Sequence, residues 1–298
     1  MSRFGKSIRR YPLLWVGAFM VGLVILVALL APYIAPYPPN KIDILNMLSG
    51  PSHHHILGTD ELGRDELSRI LFGARISLLV GFSSVLLAGA VGTSIGLLSS
   101  YFGGIVDMLV MRVTDIVLSF PVILLALALV AVLGPSVQDI IIALGFGYWA
   151  NYARLVRAAG LKARAEQYVE AARAIGSGHL RVMFRHILPN VSGPIIVMAT
   201  LGVGSAIVSE AALSFLGLGV QPPTASWGAM IAIGLQYFLQ SANLSTFPGI
   251  AIMWTVLGFN LLGDGLSDYL DPKTNLGRKG SMGDTEVASS SEPQVSVH

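Results

Sequence analysis

The chain has 298 residues, of which 53% are hydrophobic and only 12% charged, with a mean hydropathy of +0.69. Soluble domains carry roughly 25% charge, so a water-soluble globule is excluded and an all-α polytopic membrane protein is expected, long enough for about six spans of ~20 residues. Net charge is +2 and cysteine is absent, which gives no basis for a nucleic-acid partner and rules out a disulfide framework or a thiolate metal site.

Arg3, Lys6, Arg9 and Arg10 precede the first apolar stretch, residues 13–34. A signal peptide would have a shorter apolar core and a small-residue cleavage site, so this reads as an uncleaved span behind a cytoplasmic segment, residues 1–11. Gly5-Lys6-Ser7 imitates the end of a P-loop, but the glycine needed five residues earlier has no place, and no nucleotide site is read there. Pro32, Pro36, Pro38 and Pro39 then end the helix, since proline lacks the amide that a helix interior uses.

The loop that follows, about 35 residues and read as external, holds His53-His54-His55. Imidazoles suit nickel or zinc, yet adjacent residues do not aim three rings at one ion, and no metal site is read. Asp60, Glu61, Arg64, Asp65, Glu66 and Arg69 are expected to pair locally, as exposed pairs of small individual worth, and to lead into the next helix.

A second span is expected over residues 76–100, where Gly89, Gly92 and Gly96 make a flat strip for a neighbouring helix. A third covers 108–132, with Arg112 and Asp115 spaced to pair along one face. Gly134-Pro135-Ser136 turns the chain into a fourth span, 137–153. A fifth covers 190–213 and carries Glu210, an acid that either faces a translocation path or reaches water at the interface. An uncharged external loop rich in glycine and aromatics follows, lying on or dipping into the interface. The sixth span is 248–266, and residues 273–298 form a polar, Ser-rich tail expected to be disordered and cytoplasmic.

Between the fourth and fifth spans lies a basic loop, 154–189. Tyr168, Ala171, Ala172 and Ile175 share one helical face, with Glu166, Glu170 and Arg173 on another. Gly176 and Gly178 stop that helix; Leu180, Met183, Phe184 and Ile187 resume the period until Pro189, which favours a new element. The periodicity fits either a loop packed beneath its own membrane domain or a handle offered to a partner. Lys and Arg cluster in this loop, at both termini and at Arg112, against only Lys41, Arg64, Arg69 and Arg75 on the other side. The positive-inside rule therefore places both termini in the cytoplasm.

Glu170-Ala171-Ala172, Gly176 and Leu188-Pro189 resemble the EAA signature of the membrane subunits of ABC importers, with His186 where an apolar residue is common. The resemblance implies that these six residues belong to a coupling helix seated in a groove of a cytoplasmic ATPase. Leu57-Gly58-Thr59-Asp60 with Gly63-Arg64-Asp65, the run Leu213-Ser214-Phe215-Leu216-Gly217-Leu218-Gly219, and Phe259-Asn260-Leu261-Leu262-Gly263-Asp264-Gly265-Leu266 look like the dipeptide/oligopeptide/nickel branch of binding-protein-dependent permeases, specifically its "C" partner. This likeness covers a permease domain, residues 12–272. It implies a type I importer fold in a bacterial cytoplasmic membrane, a heterodimer with a homologous permease, two ATP-binding subunits and an extracytoplasmic binding protein. ATP and Mg would be bound by the ATPases, leaving this chain without cofactor or catalytic residue. Peptide is the expected solute; nickel or another small solute is the alternative within the family.

Two other classes were weighed. An intramembrane serine protease would use Ser94 of Gly92-Thr93-Ser94-Ile95-Gly96, but that letter pattern needs a strand before the serine and a histidine base in a neighbouring span. His53, His54, His55, His179, His186 and His298 lie in loops, at a helix end or in the tail. A secondary transporter would show midplane acids and an internal repeat, and no convincing repeat is seen.

Overall fold

The computed structural model describes residues 10–270. The expected cytoplasmic residues 1–9 and the tail at 273–298 lie outside the described residues. Apart from one bridge between Thr59 and Asp65, regular structure among the described residues is helical.

Helix α1 is Pro12–Ile34, with proline in its first turn, where no amide is missed. Helix α2, Glu66–Phe102, starts on Asp65, whose carboxylate accepts from the Ser68 amide at 2.8 Å and the Ser68 hydroxyl at 2.7 Å. At 37 residues it is about 55 Å long. It therefore outruns a hydrocarbon layer of about 30 Å and projects beyond it.

The third expected span, 108–132, is two helices, α3 (Gly104–Leu118) and α4 (Val122–Leu133), bent by 86°. Pro121 explains the elbow. It brings no amide and biases Phe120 away from the helical region, while the Ser119 hydroxyl donates to the Ile116 carbonyl at 2.6 Å. Helix α5, Val137–Arg164, also departs from expectation, because the fourth span and the start of the basic loop are one continuous helix. Residues 152–164 are rich in Ala, Leu, Arg and Lys, which are good helix formers, and the single Gly160 is too weak a breaker to interrupt them. Among the described residues four helices are long and apolar enough to cross a membrane, five if the bent pair counts as one span, and α5 is not among them. It lies against α2, α4 and the later helix α7, so protein rather than lipid covers much of its surface.

The glycine strip has the expected use. A Cβ on Gly92 would come within 2.3 Å of the Trp149 carbonyl oxygen, and one on Gly96 within 2.6 Å of that of Ala153. Backbones of α2 and α5 thus touch directly, as small residues permit in membrane helices.

Beyond α5 come α6 (Gln167–Ala174) and α7 (His179–Phe215). Pro189 stands, as expected, at the start of a new stretch: α-helix resumes at Leu188 with Pro189 in its first turn, directly after a π-helical stretch, Val182–Ile187, so that α7 is one continuous run of helical residues. The change from wide turns to α-helical ones falls just before the ring, so Pro189 occupies a first-turn position where its missing amide is tolerated. Helices α8 (Trp227–Gln236) and α9 (Asn243–Leu270) complete the bundle. The glycine- and aromatic-rich loop before α8 is tucked inward rather than laid flat. Val220, Ala225 and Trp227 are buried, and the Trp227 indole donates to the Ile70 carbonyl at 3.0 Å.

Candidate functional site

The α6 region is built on a tight stop. Gly176 has φ +81°, where only glycine sits without strain. Around it the Ser177 amide donates to the Ala172 carbonyl at 3.1 Å and the Gly176 amide to the Arg173 carbonyl at 2.9 Å. These two bonds are a Schellman stop, which closes a helix and turns the chain back.

The eight residues of α6 present two faces, but not the two expected. Val169 and Ala172 are both buried, and Val169 belongs to a cluster with Leu97, Tyr101, Val156, Val182, Met183, Ile187 and Val191, with Leu188 packed against its edge. Glu170, Ala171 and Gly176 are exposed, with Pro189 also exposed on α7. Ala171 and Ala172 therefore separate, because neighbours in a helix stand 100° apart: Ala172 holds the helix to its own domain and Ala171 faces away. Val169, three residues before Ala172, was missed, although that spacing is the legible mark of an inner face. Large apolar side chains just beyond α6 and at the start of α7 are exposed as well: Ile175 is 83% exposed, Leu180 68% and Phe184 53%. Among the described residues Glu170 has no ion pair or hydrogen bond from its carboxylate.

One contact ties α6 to the end of α2. The Tyr101 hydroxyl and His179 Nδ1 lie 2.7 Å apart, and the Arg173 guanidinium stands 4.6 Å above the Tyr101 ring. Tyr101 and His179 are separated by 78 positions, so no sequence spacing announces the pair. Nearby, Asp115 pairs with Arg154 of α5 at 2.6 Å rather than with Arg112, and Asp107 pairs with Arg157. The charges of α3 were read along their own helix, whereas the close approach of α5 offers them arginines across the interface.

At the other end of α2 the charged residues do pair locally, but out of water. The Asp60 carboxylate accepts from the amides of Leu62 and Arg64, both at 2.9 Å, and from Arg64 Nε at 2.6 Å. Arg69 Nε lies 3.3 Å from the same carboxylate, and Arg64 Nη2 donates to Glu61 at 2.6 Å. Asp60, Arg64, Asp65, Glu66 and Arg69 are all at most 3% exposed. The expectation of exposed, weak pairs is thereby corrected, since α8 and the start of α9 close over the cluster. The histidines diverge. His55 Nδ1 meets Asp65 at 2.8 Å, while His54 offers only its backbone carbonyl to the Tyr37 hydroxyl. Among the described residues no three His, Cys, Asp or Glu side chains group as metal ligands.

Glu210 does not reach water in this chain. It is 0% exposed, and its Oε1 accepts from the hydroxyls of Ser214 and Ser226, each at 2.9 Å. Ser226 also accepts from the Ala229 amide at the start of α8. The acid thus fixes α7 to the cap of α8 from inside. Ser214 is four residues on and legible as a partner; Ser226 comes from the inward-tucked loop and is not.

The profile of the family described as "Binding-protein-dependent transport system inner membrane component" matches residues 92–276, and that of the "N-terminal TM domain of oligopeptide transport permease C" matches residues 1–51. The chain is 47% identical over 269 residues to the dipeptide transport system permease protein DppC of Alkalihalophilus pseudofirmus, covering 90% of this chain and 88% of that one. It is 45% identical over 271 residues to the glutathione transport system permease protein GsiD of Escherichia coli, covering 91% and 89%. Among solved structures, the inward-facing MetNI methionine ABC transporter aligns at a TM-score of 0.56 and 20% identity, covering 69% of this chain and 97% of that one. An amino acid ABC transporter aligns at 0.54 and 18%, covering 68% and 95%. At these identities the two structures bear on the fold alone.

Proposed function

The chain belongs to the inner membrane components of binding-protein-dependent transport systems, as a multi-pass permease subunit of an ABC importer, and from that premise we propose that it passes short peptides and is driven through α6. The two relatives are named for a dipeptide and for glutathione, itself a tripeptide, which supports a peptide solute here. In this reading the chain pairs with a homologous permease, two ATP-binding subunits lie beneath α6, and a binding protein delivers solute at the opposite face. Both termini are then cytoplasmic, and ATP and Mg sit on the ATPases.

The observation that carries the proposal is the outward face of α6. Glu170 is exposed and unpaired among the described residues, and Ile175, Leu180 and Phe184, in the turn and helix that follow it, are exposed too; apolar side chains with a charge suit a partner surface. Glu170, Ala171, Gly176 and Pro189 contribute to the outer surface and the turn. Ala172 is buried on the opposite face, where Val169, with Leu188 at its edge, joins the cluster through which α2, α5 and α7 meet. A push on α6 therefore reaches three long helices at once, and alternating access becomes a rocking of helices already packed together.

The test uses the assembled transporter in a strain lacking its own peptide importer. Wild type should restore uptake of a labelled dipeptide. Glu170→Lys should reduce retention of the ATPases about tenfold, which corresponds to about 1.4 kcal/mol, and abolish uptake, while the partner permease still co-purifies. ATPases retained at the wild-type level with uptake intact would show that the docking face is misplaced. A wild-type complex that assembles yet moves no peptide would remove the peptide reading and leave the docking face standing.

A further inference from the structure

Arg75 is the last charge before the uncharged run 76–106, which takes in the rest of α2 and the start of α3. It lies 26 positions before Tyr101, which is about 39 Å along the helix, at the membrane boundary remote from α6. It is exposed, and among the described residues it has no hydrogen bond, ion pair or ring contact. Two cavities meet at it. One, of about 400 Å³, brings Arg75 together with Asn40 and Thr224. Neither of those side chains makes a hydrogen bond to another described residue. The other, of about 310 Å³, is a slot between α1 and α2 lined by Ile25, Leu29, Leu78 and Phe82. Arg75 and Leu79 line both.

We propose that this two-part cleft holds a glycerophospholipid, with its phosphodiester on Arg75 and one acyl chain in the α1–α2 slot. The two lobes differ in chemistry as the two ends of a lipid do. In the upper lobe a planar guanidinium, an amide and a hydroxyl are free to donate to phosphate oxygens, and arginine suits such a group because it donates in a fork. Below it the slot offers hydrocarbon along the direction that a chain follows. A guanidinium at the edge of an apolar span is costly without a counter-charge, and basic pockets between membrane helices take anionic headgroups for that reason. A peptide fits less well, because neither cavity is lined by an acid that would receive its ammonium. The proposal rests on membrane insertion alone and stands apart from the identity of the transported solute.

The experiment delipidates the purified transporter complex in non-ionic detergent and titrates it with phosphatidylglycerol in mixed micelles, reading thermal stability. Wild type should be stabilised in a saturable way. Arg75→Gln should move the midpoint about tenfold higher, as for loss of one charge-assisted contact, and Arg75→Lys should fall between. Leu79→Trp narrows the slot at a half-exposed position without touching the charge, and it should also weaken binding. Equal midpoints in wild type and all three variants would overturn the proposal. So would equal stabilisation by soluble glycerol phosphate or by a free dipeptide, which would assign the site to an anion or to the solute. Loss of the partner permease from Arg75→Gln, with the lipid response unchanged, would assign Arg75 to a subunit contact instead.

Discussion

At the Glu66 end of α2, Asp60 draws Arg64 and Arg69 together out of water, whereas at the Phe102 end Tyr101 is held by one hydrogen bond and one stacked guanidinium. Both ends anchor a long loop to the same helix, so the contrast isolates what each loop is for. Buried charges are costly to separate, since a lone one stays in a medium that cannot solvate it. They suit a loop that keeps one arrangement. One cation–π contact and one hydrogen bond are each worth about 1 kcal/mol and leave the outward face of α6 uncovered, which suits an element that shifts with a partner. The same polypeptide thus has a fixed end and a yielding end.

The largest effect is expected from breaking the fixed end. Arg64→Met removes both the 2.6 Å contact to Asp60 and the 2.6 Å contact to Glu61. Arg69 at 3.3 Å and two backbone amides remain to Asp60, so the cost should be about 3 kcal/mol, at the low edge for a broken buried pair. Thermal unfolding in detergent should shift down by several degrees, while ATPase retention by whatever complex survives is unchanged. A variant as stable as wild type would mean that the cluster is not the anchor, and the contrast between the two ends would collapse.

A smaller effect, of a different kind, is expected at Gly176. Space around it is open, with no atom within 4 Å of an added Cβ, so only its φ of +81° resists substitution, at about 1–2 kcal/mol. Gly176→Val should insert and assemble yet lose peptide uptake while ATP hydrolysis continues, because relaxing the turn re-aims α6. Gly176→Asn should retain much more uptake, since asparagine tolerates the left-handed region. Equal uptake by Val and Asn variants would show that backbone conformation is not what the position supplies.

How far these two ends could be read in advance follows the range of their contacts. The α2–α5 seam was legible, because Gly92 and Gly96 lie on one helix and need only a neighbour. So was the stop at Gly176, a local matter of backbone. The pairing within Asp60–Arg69 was legible as well, at three- and four-residue spacing, but its burial was not, since α8 and α9 supply the cover from more than 150 positions away. The elbow at Pro121 carried a signal that the unbroken apolar run outweighed. Glu210 needed Ser226, and α6 needed Tyr101, and neither partner shares a period with what it holds.

The smallest effect, and the sharpest division between the ends, should come from Tyr101→Phe. The variant keeps the ring beneath Arg173 and its place in the buried cluster, and loses only the hydroxyl that meets His179 at 2.7 Å. A single such hydrogen bond contributes about 0.5–1.5 kcal/mol, so stability should fall far less than in Arg64→Met. Yet His179 opens α7, Arg173 closes α6 and Tyr101 ends α2, so that one hydroxyl fastens α2 to the first turn after the hinge. Without it, α6 can move with the ATPases while α2 lags, and peptide transported per ATP hydrolysed should decrease with ATPase binding unaltered. His179→Ala should produce the same decrease, and the double variant should add little, since both remove one shared contact. Additive losses would mean that tyrosine and histidine act separately, and an unchanged transport ratio would place the transmission in the apolar cluster of Val169 alone.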